Sequence, residues 1–258
     1  MFKQRVVSAL ISIPLVLGAV WVGNYFFFLV LLIINLLALR EWFGIFTLQE
    51  KNLKVLTYIG CILINILAYY YQLDGILPAL VCFFLLLNLF WVLHFPFDFQ
   101  AVLLAFWGQI HISFLLSFFL LLRNQPDGLL LVLSVLFSVW ASDTGAYLCG
   151  IAFGRHKLLP AVSPKKSLEG ALGGIVFAGL IMGIFAPYLN LERLVAVLLG
   201  ILFSFAGQAG DLAESAVKRQ AKVKDSGRFL PGHGGLFDRL DSLLFAAPVA
   251  YFIYTFLL

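Results

Sequence analysis

Apolar runs follow one another along almost the whole chain, at roughly residues 6–22, 25–40, 54–71, 76–94, 99–122, 129–150, 171–189, 194–217 and 236–257. Most are close to or above the ~20 residues a helix needs to cross a bilayer core. Because they are apolar on every face, water cannot be their main solvent. In lipid the backbone must satisfy its own N–H and C=O groups, either as helices or as a closed barrel. Barrel strands would alternate apolar and polar positions over segments of about ten residues; these runs are longer and do not alternate. Charged residues make up 12% of the chain and hydrophobic ones 62%, whereas about one quarter of a globular domain is charged. The expected fold is an all-α polytopic integral membrane protein with about nine transmembrane helices.

Turn chemistry separates the runs at Gly23-Asn24, Asp74-Gly75, Pro96, Asn124 to Gly128, and Asn190. No internal repeat or soluble domain boundary interrupts them. The opening Met1-Phe2-Lys3-Gln4-Arg5 and the run after it have the outline of a signal peptide, but the run is about long enough to span and no small-x-small cleavage site follows. It is expected to remain as the first helix. Cys61, Cys82 and Cys149 each lie in an apolar run and read as small hydrophobes. The cations test the span count. If Lys3 and Arg5 are cytoplasmic, nine spans also place Arg40, Lys51, Lys54 and the segments 154–170 and 218–235 inside, leaving only Arg123 and Arg193 outside. The C-terminus then falls outside. A bacterial cytoplasmic (inner) membrane, with any site facing the cytoplasm, is the expected location.

Residues 1–128 are chemically quiet: His94, Gln109 and His111 stand alone and read as interior groups or interface residues rather than ligands. Residues 129–258 carry nearly all the notable polarity, in three groups. Asp143 sits late in an apolar run, in Trp140-Ala141-Ser142-Asp143-Thr144-Gly145, where a charge costs about 2.5–3.5 kcal/mol on insertion scales and faces a cavity or partner. It is either a structural acceptor or part of a site. Downstream, Ser163-Pro164-Lys165-Lys166 has the form of an N-cap followed by proline at the first helical position. That places Lys165 and Lys166 in a first helical turn, where a bound phosphate would satisfy lysines and backbone N–H groups together; ordinary interfacial lysines are the alternative.

The second group lies on one helix face: Asp211, Glu214, Ser215 and Lys218. Glu214 and Lys218 have ion-pair spacing, while Asp211 has no cation one turn away. A buried carboxylate in that position takes up a proton or a metal. The third group runs from Lys222 to Asp241. Gly232, Gly234 and Gly235 allow backbone N–H groups to turn toward an anion. Asp238 and Asp241 either complement the dipole of the last helix or coordinate a hard cation. Six cations between Lys218 and Arg239 surround this pair. Lysines and arginines for phosphate oxygens, with carboxylates for a divalent cation, form the inventory of phosphoryl and nucleotidyl transfer.

At these residues the chain resembles the phosphatidate cytidylyltransferase (CDP-diacylglycerol synthase) family. The matching signature is Ser215-Ala216-Val217-Lys218-Arg219, then Lys224-Asp225, then His233-Gly234-Gly235-Leu236-Phe237-Asp238-Arg239-Leu240-Asp241. It shows no departure from the family pattern. Ser142-Asp143 and Ser163 to Lys166 also resemble the family, so the likeness covers roughly 138–241.

The resemblance implies transfer of CMP from CTP to phosphatidate, releasing pyrophosphate. It implies Mg2+ at Asp211 and Asp238, and a second, monovalent cation such as K+. Asp143 and Asp241 are second-rank metal candidates, either supporting the site or holding the second cation. Lys218, Arg219 and Arg239 are expected to neutralise the CTP phosphates. Lys165, Lys166, Ser215, Lys224, His233, Gly234 and Gly235 are expected to bind substrate. The expected partners are CTP, phosphatidate and membrane lipid, with no nucleic acid; a homodimer is compatible with the chain. A CTP-dependent lipid kinase would use similar parts but move the γ-phosphate. An ion-coupled transporter would show paired repeats and broken helices in both halves. A CDP-alcohol phosphotransferase would need an Asp-Gly-x-x-Ala-Arg run, which this chain lacks.

Overall fold

The computed structural model describes residues 2–227 and 234–256. Helix dominates, and six helices are long and apolar enough to cross a membrane: Asn24–Ile45, Lys51–Leu93, Phe99–Arg123, Gly128–Phe153, Leu168–Leu189 and Arg193–Gln220. Two shorter apolar helices, Leu10–Val22 and Asp241–Phe256, accompany them. This is an all-α membrane protein with one small hairpin among the described residues. The chain forms two compact units, residues 1–124 with 225–238, and residues 125–224 with 239–258.

The first unit contains α1 (Phe2–Val22), α2 (Asn24–Ile45), α3 (Lys51–Leu93), α4 (Phe99–Gly108) and α5 (Leu115–Arg123), with a π-helical turn over Gln109–Phe114. The runs expected at 54–71 and 76–94 lie within α3, which is interrupted at Gln72 by a positive φ of 53°. Buried polar side chains tie this unit together from within. Asn35 of α2 donates to Asn65 of α3 and to the carbonyl of Ser113, each at 3.5 Å, so interhelical hydrogen bonds supply cohesion that lipid cannot. Gln109 and His111 are buried and His94 is exposed. Arg123 donates from Nε to the carbonyl of Val20, 2.9 Å away, a cation at the C-terminal end of α1.

The second unit contains α6 (Gly128–Phe153), an antiparallel hairpin of β1 (Lys157–Leu159) and β2 (Ser163–Ser167), α7 (Leu168–Phe185), α8 (Arg193–Gln220) and α9 (Asp241–Phe256). The hairpin corrects one expectation: Ser163-Pro164 does not begin a helix. Proline disfavours the helical region for the residue before it, and Ser163 to Ser167 run as a strand. The cap lies four residues later. Ser167, with φ −121° and ψ 156°, accepts a hydrogen bond from the N–H of Gly170 at 3.2 Å and starts α7. Lys165 and Lys166 therefore project from a strand. Glu169, in the first turn of α7, accepts from the backbone N–H groups of Arg155 and His156 and pairs with the His156 ring at 2.6 Å, anchoring the hairpin's base. Small residues let helices approach closely. At Gly210 of α8 a Cβ atom would collide with the backbone carbonyl of Asp241, the first residue of α9.

Candidate active site

Three helices and one strand of the second unit converge on a group of charged side chains. Asp211, Glu214 and Asp241 each offer a carboxylate oxygen, and these oxygens all lie within 4.8 Å of one another. One helical turn puts Asp211 and Glu214 on the same side of α8, and the contact at Gly210 brings the start of α9 against them. Ser215 donates to Asp211 at 3.5 Å. Asp143 of α6 accepts from the hydroxyl of Ser242 at 3.5 Å, while the backbone N–H of Ser242 donates to Asp241 at 2.7 Å. The charges of Asp211, Lys166 and Arg239 all act on Asp143.

Cations offset this concentration of negative charge. Lys166 reaches from β2 to Asp211, with Nζ and Oδ2 separated by 2.5 Å. This is the cation that helical spacing around Asp211 failed to provide. Lys218 pairs with Glu214 at 2.7 Å, and the Glu214 side chain is only 1% exposed. An acid so deeply buried needs its partner, because an uncompensated charge there costs several kcal/mol (~3–5). Arg219 donates from Nε to the carbonyl of Val162 at 3.1 Å, fastening α8 to the hairpin. Lys165, Lys224 and Arg239 are exposed. A polar relay supports the cluster from within. Ser142 and Ser204 share a 2.7 Å hydrogen bond, and Gln208 donates to Ser204 and to the carbonyl of Ala171.

Of the expected site residues, the structure gathers Asp143, Lys166, Asp211, Ser215, Lys218, Arg239 and Asp241 in the second unit, with Glu214 and Ser242 added. Asp238 belongs to the first unit. There its carboxylate accepts from the backbone N–H groups of Ser226 at 2.9 Å and Gly235 at 2.8 Å. Gly234 holds the positive φ of 84° that its residue type permits. His233 lies outside the described residues.

The first unit also holds a well-bonded acid. Glu41 of α2 accepts from the Ser226 hydroxyl at 2.9 Å, the Leu236 N–H at 2.9 Å and the Phe237 N–H at 2.8 Å. No spacing motif marks this acid, which falls one residue beyond the apolar run expected to end at residue 40. Its one signal was a lone carboxylate beside Arg40 at a membrane-helix end.

The sequence pattern of the cytidylyltransferase family matches residues 3–257, essentially the whole chain. This chain belongs to the cytidylyltransferase family. Its relatives include phosphatidate cytidylyltransferase of Bacillus subtilis (strain 168), 34% identical over 97% of each chain. The phosphatidate cytidylyltransferase of Staphylococcus aureus (strain COL) is 32% identical over 96% of each. The uncharacterized protein YnbB of Escherichia coli (strain K12) is 45% identical over 59% of this chain and 53% of its own. Membership spans both units, so the amino-terminal helices are as much part of the family pattern as the charged cluster.

Proposed function

We propose that this protein transfers CMP from CTP to phosphatidate, giving CDP-diacylglycerol and pyrophosphate. The observation that carries the reading is the likeness, over nearly the full length, to phosphatidate cytidylyltransferases in a membrane protein whose carboxylates and lysines converge. In the reaction an oxygen of the phosphatidate phosphate bonds to the α-phosphorus of CTP as the bond to the β-phosphate oxygen breaks. Pyrophosphate carries away the electron pair. The attacking oxygen is already ionised at neutral pH, so no strong general base is needed. The difficulty is electrostatic, since one anion must approach another.

The donor set suits a hard divalent cation: Asp211, Glu214 and Asp241 offer only carboxylate oxygens, with no imidazole or thiolate among them. Mg2+ held there by Asp211 and Asp241 would neutralise phosphate charge and orient the α-phosphate. Asp238 remains in the proposal on the family resemblance alone, and Asp143 is the remaining candidate for a monovalent cation such as K+. The protein's own groups supply the rest. Lys218 pairs with Glu214 and presents its ammonium on the same helix face. Arg219 and Arg239 offer guanidinium N–H groups to the leaving pyrophosphate. Lys166 neutralises Asp211 and, with Lys165, faces the phosphatidate headgroup from the hairpin.

The same reading places nine crossings in a bacterial inner membrane. An unbroken helix the length of Lys51–Leu93 would extend ~65 Å, about twice the hydrocarbon thickness. The break at Gln72 supports two spans there. The segments 154–170 and 218–235 then face the cytoplasm, the side that supplies CTP. The test is product formation by purified protein in detergent with CTP and phosphatidate. CDP-diacylglycerol should appear with Mg2+ and vanish when it is chelated. No CDP-diacylglycerol under either condition would refute the proposal.

A further inference from the structure

We infer that Glu41 is a positioning residue for residues 226–227 and 235–238, clasping them together from α2 so that the part of the family signature at Gly235 to Asp238 keeps a working shape. The inference rests on the proposed cytidylyl transfer for its catalytic consequence, but its geometry stands apart from it. One oxygen of the Glu41 carboxylate accepts from the N–H of Leu236 at 2.9 Å. The other accepts from the Ser226 hydroxyl at 2.9 Å and the Phe237 N–H at 2.8 Å. One side chain thus holds Ser226 together with Leu236 and Phe237. Ser226 completes the closure: its own N–H donates to Asp238 at 2.9 Å, and its hydroxyl lies 3.3 Å from the N–H of Asp238.

Two glycines are shaped around this carboxylate. A Cβ atom at Gly227 would meet the Glu41 carboxyl group, with its carbon 2.8 Å away. At Gly235 it would collide with the Ser226 hydroxyl and the second Glu41 oxygen. Beside the polar bonds, Phe237 is fully buried, edge-on to Trp42 at 5.9 Å and 5.8 Å from the His111 ring. The docking therefore pairs an apolar plug with an anionic clasp. Burial of an aromatic ring could hold these residues alone, but only an acceptor such as Glu41 fixes the orientation of their N–H groups. A glutamine there has one acceptor oxygen, and its NH2 group would face donors.

The test compares Glu41→Gln with the unmodified protein, both full length and in detergent. Amide hydrogen exchange at Leu236 and Phe237 should quicken at least tenfold. The kcat for CDP-diacylglycerol formation should fall about 10–100-fold, as when outer partners of a functional group are removed. Thermal stability and the KM for phosphatidate should stay near the original values. Unchanged exchange would overturn the brace, and unchanged kcat would overturn the positioning role. Should Glu41→Gln not fold, Ser226→Ala removes one donor and leaves the carboxylate in place. It should lower kcat about three- to tenfold, and an unaltered kcat there counts against the inference. Unmodified protein that makes no CDP-diacylglycerol would sink the proposed function, while the exchange measurement would still decide the brace.

Discussion

Lys166 and Asp211 stand far apart in the chain, yet the hairpin delivers the ammonium to within 2.5 Å of the carboxylate. A second ion pair, Lys218 with Glu214, lies one turn along α8. Removing the acid that faces both Lys166 and Ser215 should disable the cluster without unfolding helices packed by apolar contacts. Asp211→Asn is expected to lower kcat at least ~100-fold, as loss of a group acting only in the transition state does. It should leave detergent monodispersity unchanged; near-normal turnover would remove Asp211 from the site. Because Asp211 and Asp241 hold oxygens within 4.8 Å of each other, they should act as a unit. Asp211→Ala combined with Asp241→Ala should cost little more than either change alone, and additive losses in a four-member kinetic cycle would mark two independent acids. Helical spacing made Asp211, Ser215, Glu214 and Lys218 legible from the sequence, since i, i+3, i+4 and i+7 define a face. It could not reveal Lys166 as the partner of Asp211, or Glu41 as a clasp, because those contacts depend on where a hairpin and a loop return.

The helices were legible for a simple reason: lipid leaves the backbone few alternatives, so long apolar runs become helices wherever turn residues permit. The 157–167 hairpin was not, because a serine before a proline fits both a helix start and a strand. Ser167, through its bond to the Gly170 N–H, settles where α7 begins. Ser167→Ala should destabilise the protein by about 1 kcal/mol, typical of a lost N-cap, measured as a lower thermal midpoint in detergent. Close helix approach gives a sharper contrast. Gly210→Ala would drive a Cβ into the carbonyl of Asp241, whereas a Cβ at Gly18 meets nothing within 4 Å. Gly210→Ala should lose both stability and activity, and Gly18→Ala should be close to neutral. Equal thermal midpoints for the two variants would mean that α8 and α9 do not need this contact.

Across the whole molecule, cations cluster in segments 154–170 and 218–235, and the proposed topology gives both to the cytoplasm. Ala161 and Lys224, one in each segment, are exposed and suit as reporters. Single cysteines there, in a background without Cys61, Cys82 and Cys149, should resist an impermeant thiol reagent in intact cells and react once the cells are opened. Labelling from outside would invert the topology and cut the site off from cytosolic CTP. The basic loops and the signature were readable at this scale. The assignment of residues 225–238 to the first unit was not, because it depends on contacts with Glu41 and Trp42 that no local pattern announces. The central claim concerns which phosphorus of CTP moves. Purified protein given phosphatidate, Mg2+ and CTP labelled at either the α- or the γ-phosphorus provides the direct test. The α-label should enter the lipid while the γ-label leaves in pyrophosphate; γ-label in the lipid, or no label there at all, would contradict cytidylyl transfer.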